Sequence, residues 1–260
     1  MKEKGLYTIA WGRPFLDDLA AGLHAIAGAG RGDLAEVTVL LPTRRACLAL
    51  GEAFLRLSDG AALLLPKMTP IGDIDEDELA LSGHLDQLGG GLDIAPALSG
   101  LRRQLLLTRL VLAFPGNAMS SEQASRLARE LARLLDQVHT ERLSFANLAG
   151  LAPEELSGHW QITLDFLQIL SEQWPAVLAD EGALDAAERR NLLLEAQALA
   201  WRKNPPAGPI VAAGSTGSIP ATADLLHAVA HLAKGYVVLP GLDREMDEES
   251  WRVLGPTHPQ

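Results

Sequence analysis

The segment Val37-Thr38-Val39-Leu40-Leu41-Pro42-Thr43-Arg44-Arg45 puts one hydroxyl and two guanidinium groups at the end of an uninterrupted apolar run. Such a run, with no polar alternation, is the pattern of a central parallel strand whose two faces are both covered by helices. A Pro-Thr turn then opens into a helix, with Thr43 placed to cap it and Arg44 and Arg45 in its first turn. The amino end of a helix disfavours cations, so a pair of arginines there points to an anionic partner. The carboxyl ends of the strands are also where open α/β sheets bind ligands. The plainer alternative is that both arginines are simply solvated.

Gly214-Ser215-Thr216-Gly217-Ser218-Ile219-Pro220 is the second segment with chemical potential. It falls between a strand and a helix whose first turn is set by Pro220. Glycines and hydroxyls ahead of a helix can cradle a phosphate through backbone N–H groups. A tight turn with Ser218 as N-cap fits the same residues. Other candidates carry less. His227 and His231 have the spacing of a metal-binding pair, but Ala228, Val229 and Ala230 lie between them, with no general-base glutamate and no third ligand in view. The run Asp73-Ile74-Asp75-Glu76-Asp77-Glu78 lacks the glycine and spacing of a calcium loop and reads as a solvated loop or helix start. Cys47 falls on the apolar stripe of its helix, a core position. No Ser/His/Asp pattern is visible, and no metal site is expected.

A nucleotide-hydrolysing domain of alternating strands and helices needs glycines, a lysine and a Ser or Thr after its first strand. Here that strand runs into Trp11-Gly12-Arg13-Pro14-Phe15, a degenerate phosphate loop, and no Gly-Lys-Thr or Gly-Lys-Ser occurs in the chain. The apolar strand at 209–213 ends in Ala213-Gly214-Ser215, where a metal-holding acid would stand. With both halves of the apparatus missing, neither ATP hydrolysis nor stabilisation by Mg-ATP is expected.

These candidates must be positioned by the elements around them. A chain of 260 residues, 48% of them apolar, can form one large domain or one domain with a sizeable insertion. Runs such as Ala61 to Pro66 are too short to span a bilayer, and the start, Met1-Lys2-Glu3-Lys4 followed by a strand-like stretch, does not look like a signal peptide. One cysteine excludes an internal disulfide and a four-cysteine metal or iron–sulfur site within this chain, and a reducing, cytoplasmic location follows. The net charge of −11 argues against a general electrostatic grip on nucleic acid, so any such contact is local.

Residues 1–98 and 205–260 read as α/β. Strands are expected at Leu6–Ala10, Glu36–Leu41, Ala61–Leu65, Pro209–Ala213 and Tyr236–Pro240, and helices at Pro14–Ala27, Arg44–Leu57 and Pro220–Leu232. Strands alternating with helices imply parallel crossovers. Residues 99–204 show no convincing strand. Ala124, Leu127, Ala128, Leu131, Leu134, Leu135 and Val138 trace a helical stripe, with Glu122, Arg126, Glu130 and Arg133 opposite. Trp160, Leu164, Leu167, Leu170, Trp174 and Leu178 repeat the pattern. The expected architecture is a parallel sheet interrupted by an inserted α-helical subdomain, with the acidic run at 73–78 and Gly89-Gly90-Gly91 marking the seam.

The segments 37–45, Ala62-Leu-Leu-Leu-Pro-Lys67, Ile71–Leu79, Ala213–Thr222, Val237–Asp243 and Asp247–Trp251 resemble, in order, the N-terminal region of the AddB family, the second subunit of bacterial AddAB helicase–nucleases, in the variant lacking a phosphate loop. The resemblance implies a superfamily-1 helicase-like fold: a RecA-like sheet, 1A, carrying a helical insertion, 1B. It implies a part in DNA double-strand-break repair and homologous recombination, without motor activity of its own and with a role in scanning single-stranded DNA for the Chi signal. An AddA-like helicase–nuclease subunit and DNA are the implied partners. By position, Thr43, Arg44 and Arg45 would touch the DNA backbone, and Lys67, read as closing the next strand, would follow. No cofactor is implied for this chain, since the family's iron–sulfur cluster belongs to a C-terminal nuclease domain beyond Gln260. An ending at Pro256-Thr-His-Pro-Gln260 without a closing element suggests a fragment of a longer protein.

Two other classes fit some of the same residues. One is a Rossmann-like nucleotide enzyme using Gly214 to Ser218 as its phosphate cradle, against which the absence of GxGxxG after the first strand counts. The other is an adaptor docking a partner through its helical subdomain, whose tryptophans and leucines would form the interface.

Overall fold

The computed structural model describes residues 5–27, 33–71, 94–114, 119–145, 167, 169–243 and 245–255. The chain divides into two compact units, one of Met1–Ile74, Asn204–Thr216 and Leu226–Gln260, the other of Asp75–Lys203 and Gly217–Leu225.

The first unit is built on a five-stranded, all-parallel sheet. Its strands are β1 (Leu6–Ile9), β2 (Thr38–Leu41), β3 (Lys67–Pro70), β4 (Ile210–Ala213) and β5 (Gly235–Pro240), in the order β1-β5-β4-β2-β3. Every residue of β2 and of β4 is buried, as their unbroken apolar runs require of central strands. Helix α1 (Phe15–Ala27) follows β1, and α2 (Arg44–Leu57) follows β2. Both cover one face, where Leu19, Leu23, Leu50, Phe54, Val39, Leu41, Val211 and Val238 close a core with Cys47 packed at its edge.

One expected strand is displaced. Ala61–Leu65 is irregular chain with Leu64 and Leu65 exposed, and the strand that pairs with β2 is Lys67–Pro70. The reason is that β3 lies at the sheet edge, where a strand needs no continuous apolar run. Lys67 N and Ile71 N donate to Val37 O and Leu41 O at 2.9 and 2.7 Å, so the missing N–H of Pro70 falls on the open side.

The second unit is helical among the described residues. It holds α3 (Gly100–Ala113), α4 (Ser121–Thr140), α5 (Trp174–Glu181) and α6 (Ala186–Lys203). The stripe on α4 is buried at Ala124, Ala128, Leu131 and Leu135, against Leu107 and Val111 of α3 and Leu170, Trp174 and Leu178. Ser120 caps α4 in a reciprocal box with Gln123. A π turn over Ile169–Gln173 precedes α5, because Pro175 cannot donate into a regular helix. Leu98 joins this core and Ala97 forms a single parallel bridge with Leu184, so the helical unit begins before residue 99. Helix α7 (Pro220–His231) follows β4, and α8 (Glu248–Val253) follows β5. The acidic run at 73–78, Gly89 to Gly91, Trp160 and Leu164 lie outside the described residues. Among the described residues no helix is long and apolar enough to cross a membrane.

Candidate functional site

The turn after β2 is short because Pro42 and Thr43 leave the strand and start α2 at once. Thr43 is extended (φ −143°, ψ 159°), and its Oγ1 accepts from Ala46 N at 3.1 Å, as an N-cap does. With its acceptor role taken up by the helix, the Thr43 hydroxyl proton remains a donor. Arg44 and Arg45 are exposed, in a first turn that contains no acid. A cation there opposes the helix dipole by ~0.3–1 kcal/mol.

Strand order decides what stands beside this turn. β4 pairs directly with β2, Leu40 opposite Ala212, and the chain leaves β2 toward β3 but leaves β4 toward β5. Connections diverging from two adjacent parallel strands make the switch point at which such sheets bind ligands. Gly214 has φ +77° and donates its N–H to Val238 O at 3.0 Å. A Cβ there would lie 3.5 Å from the Pro42 ring and 3.4 Å from the Phe15 ring. The turns bearing Thr43-Arg44-Arg45 and Gly214-Ser215-Thr216 are therefore neighbours at one edge. Gly217 and Ser218 continue the second segment into the helical unit. Helix α7 starts at Pro220, which puts Ile219 rather than Ser218 at the N-cap, its carbonyl accepting from Ala223 N at 2.9 Å.

Trp11, Gly12 and Arg13 leave β1 at the same edge. The Trp11 indole is 79% exposed and lies on Gly241, where a Cβ would collide with its ring. Arg13 grips Asp18 through both nitrogens of its fork, with Nη2 to Oδ1 at 2.8 Å, and this hydrogen bond holds the Asp18 carboxyl below its ordinary pKa. Asp17 and Asp18 give α1 the acidic first turn that α2 lacks. Those carboxylates, paired with Arg56 and Arg13, take the amino end of α1 that an anionic ligand would otherwise occupy, and α2 has none there. Lys67 does not join this group. Paired with Thr38, it begins β3 instead of ending the strand, which puts it at the opposite edge of the sheet.

The helical unit holds a constellation that the linear pattern does not reveal. Asp185 is fully buried, with Oδ2 accepting from Trp174 Nε1 at 2.8 Å and facing His139 Nε2 at 3.4 Å. Arg103 Nε meets Asp185 Oδ1 at 2.7 Å, an ion pair without the alignment of a hydrogen bond. The Arg103 guanidinium also reaches Asp136 at 2.9 Å and the Ala132 carbonyl at 3.2 Å. Burial alone would raise the Asp185 carboxyl, but the His139 contact, the Arg103 charge and the Trp174 hydrogen bond together hold it below its ordinary value. Hydrogen bonding to Asp185 raises the His139 imidazole. The available signal was Arg103 itself, a charge on the stripe shared with Leu107 and Val111.

The His227 and His231 rings are in contact, tilted by 43° with centroids 4.3 Å apart, and His231 Nδ1 lies 2.8 Å from the His227 carbonyl oxygen. Among the described residues no group of three His, Cys, Asp or Glu is placed to hold a metal ion. No protein-family model and no curated protein matches this chain. The fold itself is an α/β one with a five-stranded parallel sheet, and such a sheet is compatible with a RecA-like domain.

Proposed function

We propose that this chain is a non-catalytic, helicase-like module of an AddB-like repair helicase–nuclease, contacting single-stranded DNA beside an AddA-like motor subunit. The RecA-like assignment of the sheet, the 1B-like assignment of the helices and a part in Chi scanning belong to this proposal. The observation that carries it is the turn at the switch point, where exposed Arg44 and Arg45 start a helix without an acid and adjoin the Gly214–Thr216 turn. An anionic ligand there relieves the unfavourable charge at the helix end and meets the Thr43 hydroxyl. The acidic start of α1 and the Trp11-Gly12-Arg13 exit from β1 support a fold without nucleotide chemistry.

The test is binding of single-stranded oligonucleotides to the full chain as salt is varied. Replacing Arg44 and Arg45 by alanine should weaken binding to every sequence alike. The slope of log affinity against log salt should fall by about 0.7 for each phosphate that is no longer neutralised. Unchanged affinity and slope would return both arginines to solvent and remove the proposal's main support.

A specific observation favours a second reading. On α3, Leu101 and Leu105 are 74% and 56% exposed one turn apart, a surface an adaptor could use. Loss of motor-subunit binding on changing these leucines, with DNA binding absent throughout, would select the adaptor.

A further inference from the structure

We infer that Trp11 is a stacking shelf for one nucleobase of a single strand whose phosphates lie on Arg44 and Arg45. The inference rests on the DNA-contacting reading above and adds a second ligand-binding element to the same sheet edge.

Three observations build the shelf. The first is the support under the indole. Gly241 has φ +60°, and a side-chain carbon there would collide with the Trp11 ring atoms, so one face of the indole rests on bare backbone. The second is rigidity. Gly241 N donates to Ile9 O at 2.8 Å, and Leu242 N donates to Thr8 Oγ1 at 2.9 Å while that hydroxyl donates to Leu239 O at 3.2 Å. These bonds tie the exit from β5 to β1, so the Gly241 backbone under the indole is fixed. The third is exposure. At 79%, a side chain of the largest type is presented to solvent, although Trp174 and Trp201 are buried.

The surroundings select the ligand. Arg13 is paired with Asp18, so the shelf contributes little net charge. After Gly241, Asp243 accepts from Glu245 N and Met246 N, and Asp247 caps α8 through Ser250 N at 2.7 Å. With Arg13 committed to Asp18 and these carboxylates to backbone N–H groups, stacking is the shelf's way of binding. An apolar helix of a protein partner would need neighbouring apolar side chains, whereas Gly12, Arg13 and Pro14 are what adjoin the indole in the chain. A nucleobase needs only a flat π face, and each stacked base is held without regard to its identity. β1 stands three strand spacings from β2 in the sheet, about 14 Å at ~4.8 Å per strand. About four nucleotides at a rise of ~3.4 Å cover that distance, so one short strand can reach both the arginines and the indole.

The two elements therefore predict separable effects. In the full chain at low ionic strength, an oligothymidylate should quench part of the tryptophan fluorescence, and Trp11→Ala should remove that part. Trp11→Ala should weaken oligothymidylate binding by about 5- to 150-fold, the loss of one stacked base. It should leave the salt slope unchanged and leave binding of an abasic oligonucleotide, which has the same phosphates, equal to that of the unaltered chain. Trp11→Phe should retain most of the affinity, and Gly241→Ala should mimic Trp11→Ala by lifting the indole off its seat. Equal losses with abasic and base-bearing strands would overturn the shelf. So would salt-dependent binding through Arg44 and Arg45 that ignores Trp11, which would leave the DNA-contacting reading standing. No binding of either oligonucleotide to the unaltered chain would overturn both.

Discussion

The sheet edge and the helical core treat charge in opposite ways. At the carboxyl edge of the sheet, Arg44 and Arg45 are exposed, on a helix end whose dipole opposes them. In the helical unit, Arg103 is 11% exposed and Asp185 not at all, and each charge is met by protein groups on several sides. The residue types inside, His, Asp, Arg and Trp, are those of many catalytic sites. Their geometry is that of a structural tie: Asp185 from the start of α6, Arg103 from α3, His139 from α4 and Trp174 from α5 hold four helices through one carboxylate. The residue types at the edge are ordinary, and their placement is not. Placement, more than chemistry by type, separates a site from a scaffold in this molecule.

The largest way to test that contrast is to break the tie. Asp185→Asn keeps the shape of the side chain but takes the buried carboxylate from both Arg103 and His139, leaving Arg103 with Asp136 and the Ala132 carbonyl. Removing one partner of a buried pair costs about 3–5 kcal/mol, read as a lower urea midpoint, and urea unfolding of the variant within 1 kcal/mol of the parent would mean that water already solvates the pair (about 1 kcal/mol being the ordinary scale for a surface change).

A smaller effect follows from the protonation of His139. Its pKa is raised in the folded protein by the hydrogen bond to Asp185, so its contribution is complete below the unfolded value of ~6.5 and disappears as pH rises through the higher folded one. Asp185 has the opposite sign. Its folded pKa is lowered, so its contribution exists above ~3.9 and disappears as pH falls through the lower folded value. The helical unit should therefore be most stable between about pH 4 and 6.5. Melting temperature should drop on moving to alkaline pH in the parent, and His139→Gln should flatten that drop. Parallel pH profiles for the two proteins would detach His139 from the tie.

How much of this was legible in the sequence depends on whether the signal is local. β2, β4 and β5 are written as apolar runs because central strands bury both faces, and the α4 stripe is written as a period of helical turns. β3 escaped because an edge strand tolerates Lys67 and Thr69, while the more apolar Ala61–Leu65 serves as a connection. Thr43 as a cap was visible, since a cap needs only its own first turn. The meeting of the Thr43–Arg45 and Gly214–Thr216 turns was not, since only the strand order makes β2 and β4 neighbours. For the same reason nothing in the pattern pairs Trp11 with Gly241, or Arg103 with Asp185, across such long stretches of chain.

The smallest expected effect returns to the edge and has the opposite sign. Were Arg45 structural, replacing it would destabilise the fold as replacing Asp185 does. On the exposed first turn of α2 Arg45 instead opposes the helix dipole, and alanine is the better helix former. Arg45→Ala should raise stability by about 0.3–1 kcal/mol, measured by urea unfolding without nucleic acid. That gain should shrink as salt screens the dipole. Residues that cost stability in the free protein are ones a ligand must account for, whereas a loss of more than about 1 kcal/mol would make this turn a second scaffold and erase the contrast with the helical core.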